Sequence, residues 1–147
     1  METKLQRFGA TPNPAKKYTH RPGVYAILPL ADGILTTFQA GIHNEYQLPG
    51  GGVDPGEQPI RALHREVLEE TGWRIMRPRV FFRFKRFVFM PEYDLWAEKI
   101  CTVYTAQPVM QRSAPIEQNH FPIVLNVEEA LSLLAVSGDR YAVSLFF

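Results

Sequence analysis

The sequence predicts an α+β fold, a mixed layer of strands carrying few helices. Two observations predict it. Short runs rich in aromatic and β-branched residues outnumber the helical segments. The helical segments, one opening at Pro59 and one after Asn126, stand far apart, so strand and helix do not alternate regularly.

The elements follow in order. Residues 1–22 are polar and broken by Pro12, Pro14 and Pro22, and read as a flexible lead-in. Val24 to Leu30 and Ile34 to Gln39 are apolar runs, and Asp32-Gly33 between them predicts a hairpin, because both residues tolerate positive φ. Tyr46-Gln47-Leu48 leads into Pro49-Gly50-Gly51-Gly52, where no regular element is expected to continue. Pro59 then opens a helix at its first position, and Gly72 stands just past its end. Ile60, Leu63, Val67 and Leu68 form the expected core stripe of that helix, with His64 on the same side as a structural residue. Arg79 to Met90 and Ile100 to Ala106 read as strands, as does Phe121 to Leu125. Asn126 followed by Glu129 is a capping pattern; the helix after it is expected to run to about Val136 and to close at Gly138. The apolar tail from Tyr141 to Phe147 is expected to pack on the core or to serve a homodimer.

Composition narrows the function classes. The chain has 147 residues, 46% of them hydrophobic, which is one domain's worth of core. No apolar run reaches the ~18–20 residues of a membrane helix. A net charge of +1 gives no bulk attraction to a long nucleic acid or an anionic membrane. One cysteine, Cys101, provides neither a disulfide framework nor a thiolate cluster, and it reads as a small core residue. A cytoplasmic protein is expected.

The charges are segregated. Glu57, Glu66, Glu69 and Glu70 crowd together, and the stretch from Arg74 to Arg86 carries only basic charges. On the helix, Glu66, Glu69 and Glu70 fall within an arc of roughly 100°. Like charges so spaced repel, and they stand near the helix end that disfavours negative charge. A hard divalent cation would turn that repulsion into attraction, and oxygen ligands of this kind suit Mg²⁺ or Mn²⁺. A solvated acidic face is the competing reading on spacing alone. The glycines ahead of the helix let the backbone approach a ligand closely.

Taken together these residues resemble the signature of the Nudix hydrolase family: Gly51, Glu57, Arg65-Glu66-Val67, Glu69-Glu70, Gly72 and the apolar Trp73, with every spacing met. Such a match arises by chance on the order of once in 10⁸ windows or less. Trp73 departs from the usual aliphatic residue. The resemblance implies an α/β/α sandwich with a mixed β-sheet over residues 23–147, and Mg²⁺-dependent hydrolysis of a nucleoside diphosphate linked to another moiety. It implies that Glu66, Glu69 and Glu70 ligate the metal with the carbonyl of Gly50. It also implies that Gly51, Glu57, Arg65 and Gly72 support the loop and helix. A box glutamate, Glu69 or Glu70, or the loop residue Glu117 would serve as general base. The phenylalanines between Phe81 and Phe89 read as core; Tyr46, Tyr93 and Trp96 are the stacking candidates, and Arg83 and Lys85 are expected to face the diphosphate. Pro91 and Tyr93 stand near the spacings of two different subgroup markers, so no substrate is chosen between them. The partner expected is a small nucleotide-derived substrate. A catalytically silent domain that binds a nucleotide or a protein is the alternative. Silent members usually lack a box acid, and none is missing here.

Overall fold

The computed structural model describes residues 5–147. The first four residues of the expected lead-in lie outside the described residues. Eight strands and three helices follow in the order β1 (Thr19–Ile27), β2 (Pro29–Leu30), β3 (Gly33–Gln39), β4 (Glu45–Gln47), β5 (Gly50–Gly52), α1 (Pro59–Thr71), β6 (Trp73–Met90), β7 (Leu95–Gln111), β8 (His120–Leu125), α2 (Val127–Leu133) and α3 (Ser137–Phe146). One sheet runs β5-β1-β7-β6, and a second is built on β3, which pairs β2, β4 and β8. The β1–β7 pair is parallel, and the other pairs are antiparallel, so the first sheet is mixed.

Period-two alternation along β1 sends residues to two cores. Val24, Ala26 and Leu28 pack with Ala62, Leu63 and Val67 of α1. Ile27 turns the other way, joining Phe84, Cys101 and Val103 against Ala130 of α2 and Ala142 and Val143 of α3. Helices therefore cover both faces, as the sandwich requires.

Several expectations shift. β1 begins at Thr19, inside the segment read as lead-in through residue 22. Ahead of it Phe8 packs edge-on against Phe84 at 5.4 Å. The hairpin turn is Ala31-Asp32 rather than Asp32-Gly33. Ala31 takes the positive φ of 51°, and Gly33 opens β3, where a Cβ would strike the Leu125 carbonyl. Part of the glycine run is itself a strand, β5, paired to β1. The strands expected at Arg79 to Met90 and Ile100 to Ala106 are longer than the sequence suggests, because β6 and β7 pair along nearly their whole length.

The late helix divides. α2 ends at Leu133, and α3 begins at Ser137, so Gly138 does not close a helix but sits in the first turn of a new one. Its role is packing: a Cβ there would meet the Phe84 ring at 2.4–2.6 Å of separation from three ring carbons, so only glycine lets α3 lie on β6. The capping box at Asn126 and Glu129 forms as expected. Of the C-terminal tail, Ala142, Val143 and Phe146 pack on the core as expected. Leu145 and Phe147 stay exposed. On α1, Ile60 is 46% exposed, so it leaves the expected core stripe. His64 is exposed as well. Ala62 takes up the buried side of the helix instead.

Candidate functional site

The first contribution comes from β5. Gly50 holds φ at 151°, and any Cβ there would collide with the Val24 carbonyl, so glycine alone suits the position. The bend aims the Gly50 N–H at Glu70 Oε1, 3.1 Å away. The second contribution is the end of α1. Gly72 closes that helix at φ 79°, and its carbonyl accepts from the Arg112 N–H at 2.7 Å. One turn earlier the Glu69 carbonyl accepts from the N–H groups of Ile116 and Glu117, at 2.9 and 3.0 Å. These bonds bring the loop after β7, and Glu117 with it, against the carboxylates of α1.

Two clusters result. Glu66, Glu69 and Glu117 each offer an oxygen within 4.8 Å of the others, and so do Glu70, Glu117 and His120 with its ring nitrogen. Glu117 belongs to both. The His120 Nε2 lies 3.3 Å from Glu117 Oε2 and 3.8 Å from Glu70 Oε2. Its Nδ1 lies 3.2 Å from the Thr37 hydroxyl.

Arg65 braces the loop between β5 and α1. It donates to both Glu57 oxygens, at 2.8 and 2.9 Å, and to Glu66 at 3.1 Å, and its Nη2 reaches the Gly52 carbonyl at 3.3 Å. The paired guanidinium holds the Glu57 carboxyl down, at about 2.

The acids facing the cleft behave oppositely. Burial raises Glu66 to about 7, and the neighbouring Glu117 and Glu69 charges add to this, while Arg65 opposes it. Burial raises Glu70 well above the usual carboxylate range, against the Gly50 N–H that lowers it. Carboxyl groups gathered, desolvated and without a cationic partner equal to their number fit a hard divalent cation. Gly51 adds a cradle: a Cβ there would stand 2.6–2.7 Å from the Glu66 carboxyl group.

These shifts have a consequence for stability. Between about pH 4.5 and 7 the folded, metal-free protein keeps the Glu66 proton that the unfolded chain has released. Stability therefore falls as pH rises through that window. The metal-free melting temperature is expected to drop across it, and Glu66→Gln is expected to flatten the drop. A profile that rises over this range in the wild type would contradict the burial of these groups.

The NUDIX domain family model matches residues 19–146 of this chain. The chain belongs to the NUDIX domain family. The matches to curated relatives are higher in identity but short. An RNA pyrophosphohydrolase of Helicobacter pylori (strain ATCC 700392 / 26695) is 45% identical over 62 residues, 39% of each chain. One from Mesorhizobium japonicum is 51% identical over 35 residues, 24% of this chain and 20% of that protein. The match thus spans well under half of those relatives' length. The fold is shared more widely. A NUDIX hydrolase from Nitrosomonas europaea has a TM-score of 0.71 at 17% identity, covering 87% of this chain and 88% of that one. The MutT protein from Methanosarcina mazei Go1 has a TM-score of 0.69 at 20% identity, covering 88% and 94%.

The Nudix box borders a cleft of about 370 Å³ between the two sheets. Gly50, Gly51, Glu66, Glu70, Glu117 and Tyr93 all line it. Four residues expected at the substrate, Tyr46, Arg83, Lys85 and Trp96, do not. Tyr46 turns away and packs against Phe38 at 4.9 Å, while its neighbours Glu45 and Gln47 take the cleft face. Arg83 and Lys85 lie on the opposite face of β6 from Phe84 and Arg86, because side chains alternate along a strand. Arg83 instead lies 3.3 Å from the Thr102 hydroxyl. Trp96 is held outside under Lys16, whose Nζ stands 3.6 Å from the ring. The phenylalanines divide as well, with Phe84 fully buried and Phe81 and Phe89 each 37% exposed. Cys101 is buried, as a core residue should be, and its thiol is pushed up to about 11 by that burial.

Sequence reasoning carries Arg86 only as one end of the basic block and does not single out His120, Lys99 or Asp139, yet all four stand at the cleft of this Nudix domain. The only local signal was the Glu117 to His120 spacing; the other three meet through strand register and helix docking alone.

Proposed function

We propose that this domain hydrolyses the pyrophosphate bond of a nucleoside diphosphate linked to another moiety, using Mg²⁺ or Mn²⁺. The observation that carries the reading is the convergence of Glu66, Glu70 and Glu117 at one cleft, with Glu69 in the same carboxylate cluster. Glu66, Glu69 and Glu70 would hold the cation, with the Gly50 carbonyl beside them. When bound, the cation neutralises charge on the diphosphate and on the leaving oxygen.

The chain's own residues supply the rest. Water adds to one phosphorus, the bridging P–O bond breaks, and the proton from water passes to a carboxylate. Glu117 is suited to take it, because it is 42% exposed at its side chain and so reaches solvent. His120 lies within hydrogen-bonding distance of that carboxylate and can hold it in place. The bidentate Arg65–Glu57 pair keeps the glycine strand and the helix in one geometry, so the acids need not reorganise on binding substrate.

The substrate in this reading is a small nucleotide, and the domain works in the cytoplasm. A net charge of +1 supports the first point, since tracking a polynucleotide calls for an extended basic surface. The names of the relatives favour a second reading, a triphosphorylated RNA 5′ end. A hydrolysis screen over nucleoside triphosphates, dinucleoside polyphosphates, nucleotide sugars and a 5′-triphosphorylated oligoribonucleotide tests both, at low and at physiological salt. Turnover of mononucleotide derivatives at both salts is expected. Preferred cleavage of the oligonucleotide at both would establish the second reading, and no turnover of any substrate with either cation would refute catalysis.

A further inference from the structure

Away from the box, the same cleft contains a second group of charges that the reaction above does not use. Arg86 of β6 and Lys99 of β7 are direct cross-strand partners. Both side chains line the cleft, with Tyr25 of β1 and Asp139 of α3. Like charges placed opposite each other on a sheet are destabilising. The Arg86 Nε is buried and has no hydrogen-bond partner. Asp139 is 3% exposed and attracts both cations, yet makes no ion pair with either among the described residues. A buried donor without an acceptor lowers stability, and nothing in the packing returns it.

The strand order sets where this cluster stands relative to the box. β5 carries Gly50 and Gly51, β7 lies two strands away, and β6 lies three away. At 4.7–4.9 Å per strand, the backbone at Arg86 is roughly 14 Å across the sheet from β5. The two cations are therefore displaced from the acids that would hold the scissile diphosphate. Beside the single Asp139 carboxylate the cluster presents a guanidinium with five N–H groups, an ammonium with three and the Tyr25 hydroxyl, so donors outnumber acceptors and the cations outnumber the anion. The complement of such a set is an anionic group rich in acceptors, and a phosphoryl group is the one a nucleotide brings.

We propose that Arg86 and Lys99 form an anion subsite that takes a further phosphoryl group of the substrate, one lying beyond the diphosphate that is cleaved. The inference rests on the hydrolase reading and narrows its substrate class. It favours nucleotides with three or more phosphoryl groups over nucleotide sugars whose distal moiety is neutral. The extra group has two sources, a longer polyphosphate chain or the 3′ phosphodiester of a 5′-triphosphorylated dinucleotide, and both present the same chemistry.

The test compares wild type with Arg86→Met and Lys99→Met, each checked for folding by thermal melting, with Arg86→Lys as the charge-retaining variant. Calorimetry with inorganic tripolyphosphate, without added metal, reads the subsite apart from catalysis. Each Met variant is expected to bind tripolyphosphate roughly 10–100-fold more weakly, the loss of one charge-assisted contact. Arg86→Lys is expected to recover part of that loss. In hydrolysis with Mg²⁺, kcat/KM should fall by a similar factor for a nucleoside tetraphosphate or for the triphosphorylated dinucleotide, whichever supplies the group. For a nucleoside diphosphate sugar it should stay within a few-fold of wild type. Equal loss on all three substrates, or unchanged tripolyphosphate binding in folded Met variants, would overturn the subsite. Absence of hydrolysis in wild type, with tripolyphosphate binding still lost in the variants, would refute the hydrolase reading and leave the subsite standing. Should one Met variant fail to fold, the other decides.

Discussion

Glu70→Gln is expected to lower turnover by at least about 10²-fold while leaving the metal-free protein as stable as wild type. The two halves of that expectation have one cause. Glu70 is 4% exposed, and burial raises its pKa well above the usual range, so without a cation the fold disfavours its anion. Glutamine has the size of a protonated glutamate, and its carbonyl can still accept the Gly50 N–H that Oε1 accepts at 3.1 Å. The fold thus loses nothing in the metal-free state. Bound to a cation the same position must be an anion, and an amide cannot supply that charge. The measurement is kcat in saturating Mg²⁺ beside a metal-free melting curve. Wild-type turnover in the variant would show that Glu70 is no ligand. A large fall in melting temperature would show that its charged form is part of the fold.

The second large effect concerns the base. If Glu117 takes the proton, Glu117→Gln is expected to lower kcat by about 10²–10⁴-fold, with metal affinity changed far less than in Glu70→Gln. Its neighbourhood argues for that division. Glu117 reaches both acid clusters, but it belongs to a loop held through backbone bonds to the Glu69 carbonyl, not to the helix that carries the other acids. Loss of its charge leaves Glu66, Glu69 and Glu70 in place. His120→Asn should reproduce a smaller part of the loss, because the imidazole 3.3 Å from Glu117 steadies the carboxylate without accepting the proton. Glu69→Gln is the necessary comparison. A kcat in Glu117→Gln within a few-fold of wild type, together with a collapse in Glu69→Gln, would move the base to the helix.

The legible parts of this protein are those that depend on short stretches of chain. The helix from Pro59 to Thr71 and its left-handed glycine stop follow from the local chemistry of Pro59 and Gly72. The Asn126–Glu129 cap is equally local, and it forms. The acids at 66, 69 and 70 share an arc because a helix repeats every 3.6 residues, and the signature Gly51 to Trp73 lies within one short stretch of chain. The late helix departs from its sequence pattern where glycine has a second role. Gly138 resembles a helix stop in sequence, but it is small because a ring from β6 occupies the space beside it.

The sequence by itself determined the box, the acid arc and the mixed layer fold, since each is written in periodicity and spacing over a few turns. Only the tertiary structure decided which basic residues meet the substrate cleft. The basic block from Arg74 to Arg86 is continuous in sequence, but β6 carries register shifts at Arg74/Ile75, Met76/Arg79 and Val80/Phe82. Each shift changes which residues face which side, and a step of one residue reverses the face entirely. After the last of them, Arg86 points into the cleft, and Arg83 and Lys85 point away. His120 and Asp139 reach the site from β8 and α3, elements whose positions follow from long-range packing against β3 and Phe84. Burial and strand register are properties of the assembled sheet, and no window of sequence short enough to read by pattern contains them.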